Sequence, residues 1–155
     1  MDEKALILLS SVEHDLSAID QIYQELGEPE ISPESEYRDL VFVAFQLHHL
    51  YNAFENIFLN VAAALENSIE DTERWRAQLL ERMLLDVLPL RPKLIDNQAY
   101  IALDELRRFR HLFRHAYRTR LDAERLHLVL RKALNLKRIY QAQIETFLSF
   151  VRTLD

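Results

Sequence analysis

The chain has no cysteine, so neither a disulfide framework nor a thiolate metal site holds it together. That composition permits a reducing compartment. It has one glycine and four prolines, and so few turn residues argue for long helices joined by few connections. No apolar run approaches the roughly 18 residues that a membrane span requires. Residues 40–45 and 57–65 are apolar but interrupted by polar side chains. The opening Met-Asp-Glu-Lys lacks the basic and apolar pattern of a signal peptide. The expectation is a cytoplasmic protein with no membrane association. Lysine is scarce as well, four against fifteen arginines. The cationic surface is therefore built mostly of planar guanidinium forks, which suit phosphate and also suit ordinary helix-surface pairing.

What is present is helical periodicity. The 155 residues are long enough to bury a core and read as a single domain over 1–155. Ala5, Leu9, Val12, Leu16, Ile19, Tyr23 and Leu26 alternate spacings of four and three, a heptad stripe on a first helix over residues 3–26. Gly27 stands where a helix wants a C-terminal αL residue. A second helix is expected from Ser32 as N-cap, with Pro33 in the first turn, to Asn67. Its stripe is Tyr37, Leu40, Ala44, Leu47, Tyr51, Phe54, Phe58, Val61 and Leu65, widened by Val43, Leu50 and Ile57. A face that wide touches more than one neighbour. A third helix is expected from Asp71 or Thr72 to before Pro89, and a fourth from an Asp96 cap to residues 117–120. The fifth runs from an Asp122 cap almost to the end. Its stripe of Leu126, Val129, Ala133, Leu136, Tyr140, Phe147, Phe150 and Leu154 is interrupted by Gln143. The pattern predicts an all-α, up-and-down antiparallel bundle of about five helices.

Net charge is −6, which weakly disfavours nucleic acid, but the charges are segregated. Residues 1–36 hold ten acids and one lysine; residues 104–120 hold six arginines and two acids. A basic element on an acidic protein localises the attraction for an anion. Its centre is Arg110-His-Leu-Phe-Arg-His-Ala-Tyr117. At about 100° per residue with Arg110 at zero, Arg114 falls near 40°, His111 near 100°, His115 near 140° and Tyr117 near −20°. Phe109, Leu112, Phe113 and Ala116 take the opposite side. The expected helix buries an apolar face and presents an Arg/His/Tyr face to something anionic.

Arg110, His115 and Tyr117 spell R-x-x-x-x-H-x-Y, with a polar His111 directly after the arginine. This resembles the HepT-like toxins of the HEPN superfamily, all-helical prokaryotic ribonucleases. Residues 103–122, on a late helix followed by a further long one, also look like that family, whereas the rest agrees in length and helical layout. The resemblance implies an HEPN-like domain and a toxin of a type II toxin–antitoxin system. It implies a metal-independent endoribonuclease acting as a homodimer whose two motif helices build a composite cleft, with no cofactor. It also implies a partner, a minimal nucleotidyltransferase (MNT) antitoxin that transfers AMP to the motif tyrosine, here Tyr117.

The residue types suit that chemistry. Cleaving RNA without metal requires removal of the 2′-OH proton, stabilisation of extra charge on phosphorus and protonation of the leaving 5′ oxygen. An imidazole titrates near neutrality and serves as base or acid, which assigns His115; a fixed guanidinium stabilises the phosphorane, which assigns Arg110. His111 assists or binds phosphate, and Arg114 binds phosphate. A nucleotide on Tyr117 brings bulk and negative charge beside Arg110 and Arg114.

Other readings stay open. The arginines are also what a solvated helix face presents, and a non-enzymatic module binding nucleotide, nucleic acid or an acidic protein needs nothing more. His111 and His115 have the i, i+4 spacing of two zinc ligands, but no third ligand is evident and neighbouring arginines repel a cation. Glu124-x-x-His127 is a single copy of a motif that di-iron bundles use twice. His48 and His49 are expected as one core and one surface histidine, His14 as surface, and Trp75 as core or boundary packing, with an interface anchor as the other reading.

Overall fold

A computed structural model describes residues 2–66, 74–115 and 120–155. Among them there are six α-helices and no strand: α1 (Glu3–Leu26), α2 (Tyr37–Val61), α3 (Trp75–Arg82), α4 (Asn97–His115), α5 (Ala123–Lys137) and α6 (Tyr140–Val151). The all-α reading holds, with one helix more than expected.

Local chemistry sets most boundaries. Asp2 caps α1, its carboxylate accepting from the backbone of Lys4 at 2.6 Å and Ala5 at 3.4 Å. Gly27 ends the helix at φ 62°, ψ −145°. The positive φ was expected but the ψ is extended rather than αL, a region open essentially to glycine alone. Ser32 caps a turn instead of the second helix: its hydroxyl accepts from the Glu34 backbone and its own N–H donates to Ser35 Oγ. The helix proper begins at Tyr37, with no side-chain cap on its first turn. At its far end α2 loosens into a π-helical turn over Ala62–Glu66. The expected start of the third helix, Asp71 or Thr72, lies outside the described residues. Asp96 starts the fourth as expected, Oδ1 accepting from Ala99 N at 2.9 Å, and Asp122 caps α5 through Glu124 N at 3.0 Å.

The long fifth helix is two. Arg138 N donates to Asn135 O and Ile139 N to Leu136 O, i→i+3 bonds that turn the chain between α5 and α6. Leu136, Tyr140, Ile144 and Phe147 are buried on both sides of the break. The apolar stripe therefore keeps phase across it, and periodicity alone does not reveal it.

Contacts between helices establish the directions. Asp15 meets Asn56 and Glu25 meets Gln46, so α1 and α2 run antiparallel. Arg110 meets Asn52 and Phe113 meets His48, so α2 and α4 do too. Arg152 reaches Glu13 while Tyr140 stacks on Tyr23 at 5.7 Å, which sets α6 against α1. Helix α2 is central, touching α1, α3, α4 and α5. Leu40, Leu47, Tyr51, Phe54, Phe58 and Val61 of its predicted stripe are buried, as are Val43, Leu50 and Ile57. The Tyr23 hydroxyl donates to Ala133 O at 2.8 Å, pinning α1 to α5. Among the described residues no helix is long and apolar enough to cross a membrane.

Candidate active site

The motif helix α4 is anchored by Leu103, Leu106 and Phe109, all buried. Phe113 is half-buried and Leu112 is 48% exposed, so the apolar face expected through Leu112 narrows before the helix ends. Burial fades here because Leu112 flanks an open hollow of about 170 Å³ that it shares with Phe109, Phe113, Leu121 and Arg125. His111 and Arg114 are exposed. His115 closes α4, its side chain outside the described set. Ala116 and Tyr117 lie outside the described residues.

Arg110 does not share that exposed stripe. It is half-buried and turned against α2, where its Nε–H donates to Asn52 Oδ1 at 2.8 Å. The neighbouring arginines are treated differently. Arg107 and Arg108 both close on the Asp104 carboxylate, at 2.8 and 3.0 Å. Among the described residues no ion pair joins Arg110 to a carboxylate. Burial, with Arg76 and Arg114 nearby, pulls its pKa below the ordinary guanidinium range while Glu55 works the other way. A guanidinium does not lose its proton in proteins, so the site holds a partly desolvated cation supported by a neutral amide.

Helix α2 supplies the floor. His48, Tyr51, Asn52 and Glu55 follow one another at i, i+3, i+4 and i+7, hence on one face. Asn52 Nδ2 lies 3.2 Å from His48 Nε2, and the His48 ring packs on Phe113 with centroids 5.2 Å apart. Burial first, then the charges of Arg110, His49 and Arg114, lowers the His48 pKa from its ordinary value. Glu55 is buried, its Oε1 accepting from Arg76 Nε at 3.2 Å and its Oε2 without a hydrogen-bond partner. The Tyr51 hydroxyl is also buried without one. Desolvation, reinforced by the Glu55 charge, holds that phenol well above its ordinary pKa.

Thus the described part of the site joins Arg110, from the expected motif, to His48 and Asn52, which the motif does not contain. Of the histidine pair, His49 is the surface member, its ring 4.3 Å from Phe45, whereas His48 is half-buried at this site and not in the core. The missed residues did leave a signal. Polar side chains at 48, 52 and 55 recur with helical period beside a strongly apolar stripe, and a carboxylate at the edge of a core demands a partner. Among the described residues no three His, Asp or Glu side chains converge where one metal ion could bind. His14 is exposed, and Trp75 is partly buried under the Arg76 guanidinium at 4.2 Å, as expected of a boundary residue.

Compared with known proteins, the chain matches the family model described as HepT-like protein over residues 42–151. The matched span begins on α2, ends with α6 and includes Asn52, Arg110 and the whole 110–117 segment. No curated protein and no solved structure matches it.

Proposed function

The chain belongs to the HepT-like family of the HEPN superfamily, and from that premise we propose that this toxin-type protein is an RNA endonuclease. In this reading Arg110 and His115 act at a composite cleft between two copies. The MNT antitoxin silences the site by AMPylating Tyr117. The supporting observation is the pairing of Arg110: Arg107 and Arg108 on the same helix share the Asp104 carboxylate, whereas Arg110 is held by a neutral amide and meets no carboxylate among the described residues, which leaves it for an incoming anion.

The reaction follows from those groups. An imidazole nitrogen takes the 2′-OH proton as the 2′ oxygen bonds to phosphorus. Arg110 stabilises the phosphorane that forms. The P–O5′ bond then breaks, and an imidazolium returns a proton to the leaving 5′ oxygen, leaving a 2′,3′-cyclic phosphate. His115 supplies the imidazole, and its mate across the two-fold axis supplies the second. His111 and Arg114, exposed beside Arg110, receive flanking phosphates. An adenylate on Tyr117 fills the space a substrate phosphate needs.

One experiment tests the reading: pure protein is incubated with total cellular RNA with and without EDTA. The expected result is cleavage that survives EDTA and is lost in Arg110→Ala and in His115→Ala. It is also lost in protein coexpressed with the nucleotidyltransferase, whose intact mass should carry added AMP that Tyr117→Phe abolishes. Full activity of both folded alanine variants removes the catalytic assignment. Salt-sensitive RNA binding with no cleavage under any condition favours a non-enzymatic binding module.

A further inference from the structure

The contact that sets Arg110 apart also has a definite polarity. Arg110 Nε carries a proton and can only donate, so the Asn52 atom 2.8 Å away must be the amide oxygen. The other end of that amide, Nδ2, is then the atom that faces His48 Nε2 at 3.2 Å. An amide nitrogen only donates, so Nε2 must accept and the imidazole proton must sit on Nδ1. His48 Nδ1 is buried and has no hydrogen-bond partner. The chain His48–Asn52–Arg110 thus runs in one direction and leaves one buried N–H unsatisfied at its far end. Buried polar groups are almost always satisfied. A ring turned so that Nδ1 goes without a partner while Nε2 serves the amide gives up stability for orientation.

We propose that Asn52 and His48 are positioning residues for Arg110. The Asn52 amide holds the guanidinium through Nε and leaves its two Nη groups for the phosphate. Neutral His48, in the Nδ1–H form, gives Nδ2 an acceptor and so favours the amide orientation that turns Oδ1 to Arg110. A turned amide would set Nδ2 against Nε–H, two donors face to face, and release the arginine. The inference rests on the reading of Arg110 as the group that meets the scissile phosphate. Asn52 and His48 do not meet the substrate; they act through Arg110.

Two measurements test it. The first is the side-chain 15N spectrum of the intact protein, with the Arg110 resonance identified by its absence in Arg110→Lys. The Arg110 Nε–H should exchange with water more slowly than that of exposed Arg114, and that protection should disappear in Asn52→Leu. The second is steady-state RNA cleavage. Asn52→Leu should lower kcat by up to about 100-fold, the scale expected when a catalytic group is misplaced by an ångström. KM should change less than twofold, and Asn52→Gln, which keeps an amide, should recover part of the loss. His48→Phe should lower kcat in the same way while its melting temperature changes little, because the unsatisfied Nδ1–H is gone while the Asn52 amide loses its acceptor. A purely structural role for His48 predicts that activity and melting temperature fall together. Wild-type kcat in Asn52→Leu, in a protein whose Arg110→Ala variant is inactive, overturns the positioning role and leaves the nuclease reading intact. An active Arg110→Ala variant removes the nuclease assignment and this proposal with it. Fast exchange of the wild-type Arg110 Nε–H rejects the contact itself, whatever the enzyme does.

Discussion

A half-buried imidazole that shares a groove with two guanidinium groups resists taking up a proton. On α4, Arg110 and Arg114 face His48; on α2, His49 does; and Phe113 covers the ring. Burial is the first cause of its lowered pKa and these charges follow. The sign of the linkage follows from that direction. Above the ordinary imidazole value of 6.5 the residue is neutral in both the folded and the unfolded chain and costs nothing. As pH falls below it the unfolded chain binds the proton first, so stability drops. The loss levels off once pH passes the lower, folded value. Urea midpoints measured from neutral pH into the acid range should therefore fall less steeply in His48→Phe than in wild type. Parallel curves for the two proteins would show that His48 titrates in the folded state as it does in the unfolded one. Residue identities made Arg110 legible, because six arginines in seventeen residues stand out on an acidic chain. They did not make its partner legible. Asn52 lies 58 positions away, and only the antiparallel docking of α2 on α4 brings the two together.

At the scale of helices, the sequence carried nearly everything that depends on periodicity and less of what depends on tertiary contact. The wide stripe of α2 predicted its buried residues closely, and that of α1 did so at Ala5, Val12, Ile19, Tyr23 and Leu26, whereas Leu8 and Asp15 are buried where Leu9 and Leu16 were expected and those two are half-buried. The division of the last helix was not visible, since the apolar phase continues through it. Gln143 is instructive because it looked like a defect in that stripe. Its side-chain oxygen accepts from the Asp96 backbone N–H at 2.8 Å, and Asp96 in turn caps α4 through Ala99 N. A residue on α6 thereby secures the start of the helix that carries Arg110. Gln143→Leu completes the apolar stripe, so periodicity alone predicts a gain. The structure predicts a loss of about 1–3 kcal/mol, the cost of leaving a part-buried backbone donor unpaired. Urea denaturation followed by far-UV circular dichroism decides between the two, and a variant as stable as wild type or more so would show that Gln143 does not support α4.

For the whole molecule, the groove around Arg110 lies beside an apolar surface. Val41, Phe42 and Phe45 on the outward side of α2 are 38%, 45% and 50% exposed. Phe45 packs edge-on against His49, and Asn52 lies two turns further along the same helix. Single exposed apolar side chains are ordinary, and a group of three on one helix is a candidate contact surface. Its position matters for the proposed composite cleft. Two arginine-rich helices brought together across a two-fold axis repel each other, so the attraction that holds the pair must come from elsewhere. An isologous contact through residues 41–45 would provide it while setting both Arg110 grooves on the same side of the interface. Phe45→Glu introduces a charge at that surface without disturbing the core. By size-exclusion chromatography with light scattering, wild type should elute as a dimer and the variant as a monomer with unchanged helical content. RNA cleavage should be lost in parallel, since each copy then holds half a site. Adding a large excess of an Arg110→Ala chain that still has Phe45 should not restore it, because the charged surface cannot pair. A monomeric Phe45→Glu protein with full cleavage activity would show that one chain carries the complete site, and the composite cleft would have to be abandoned.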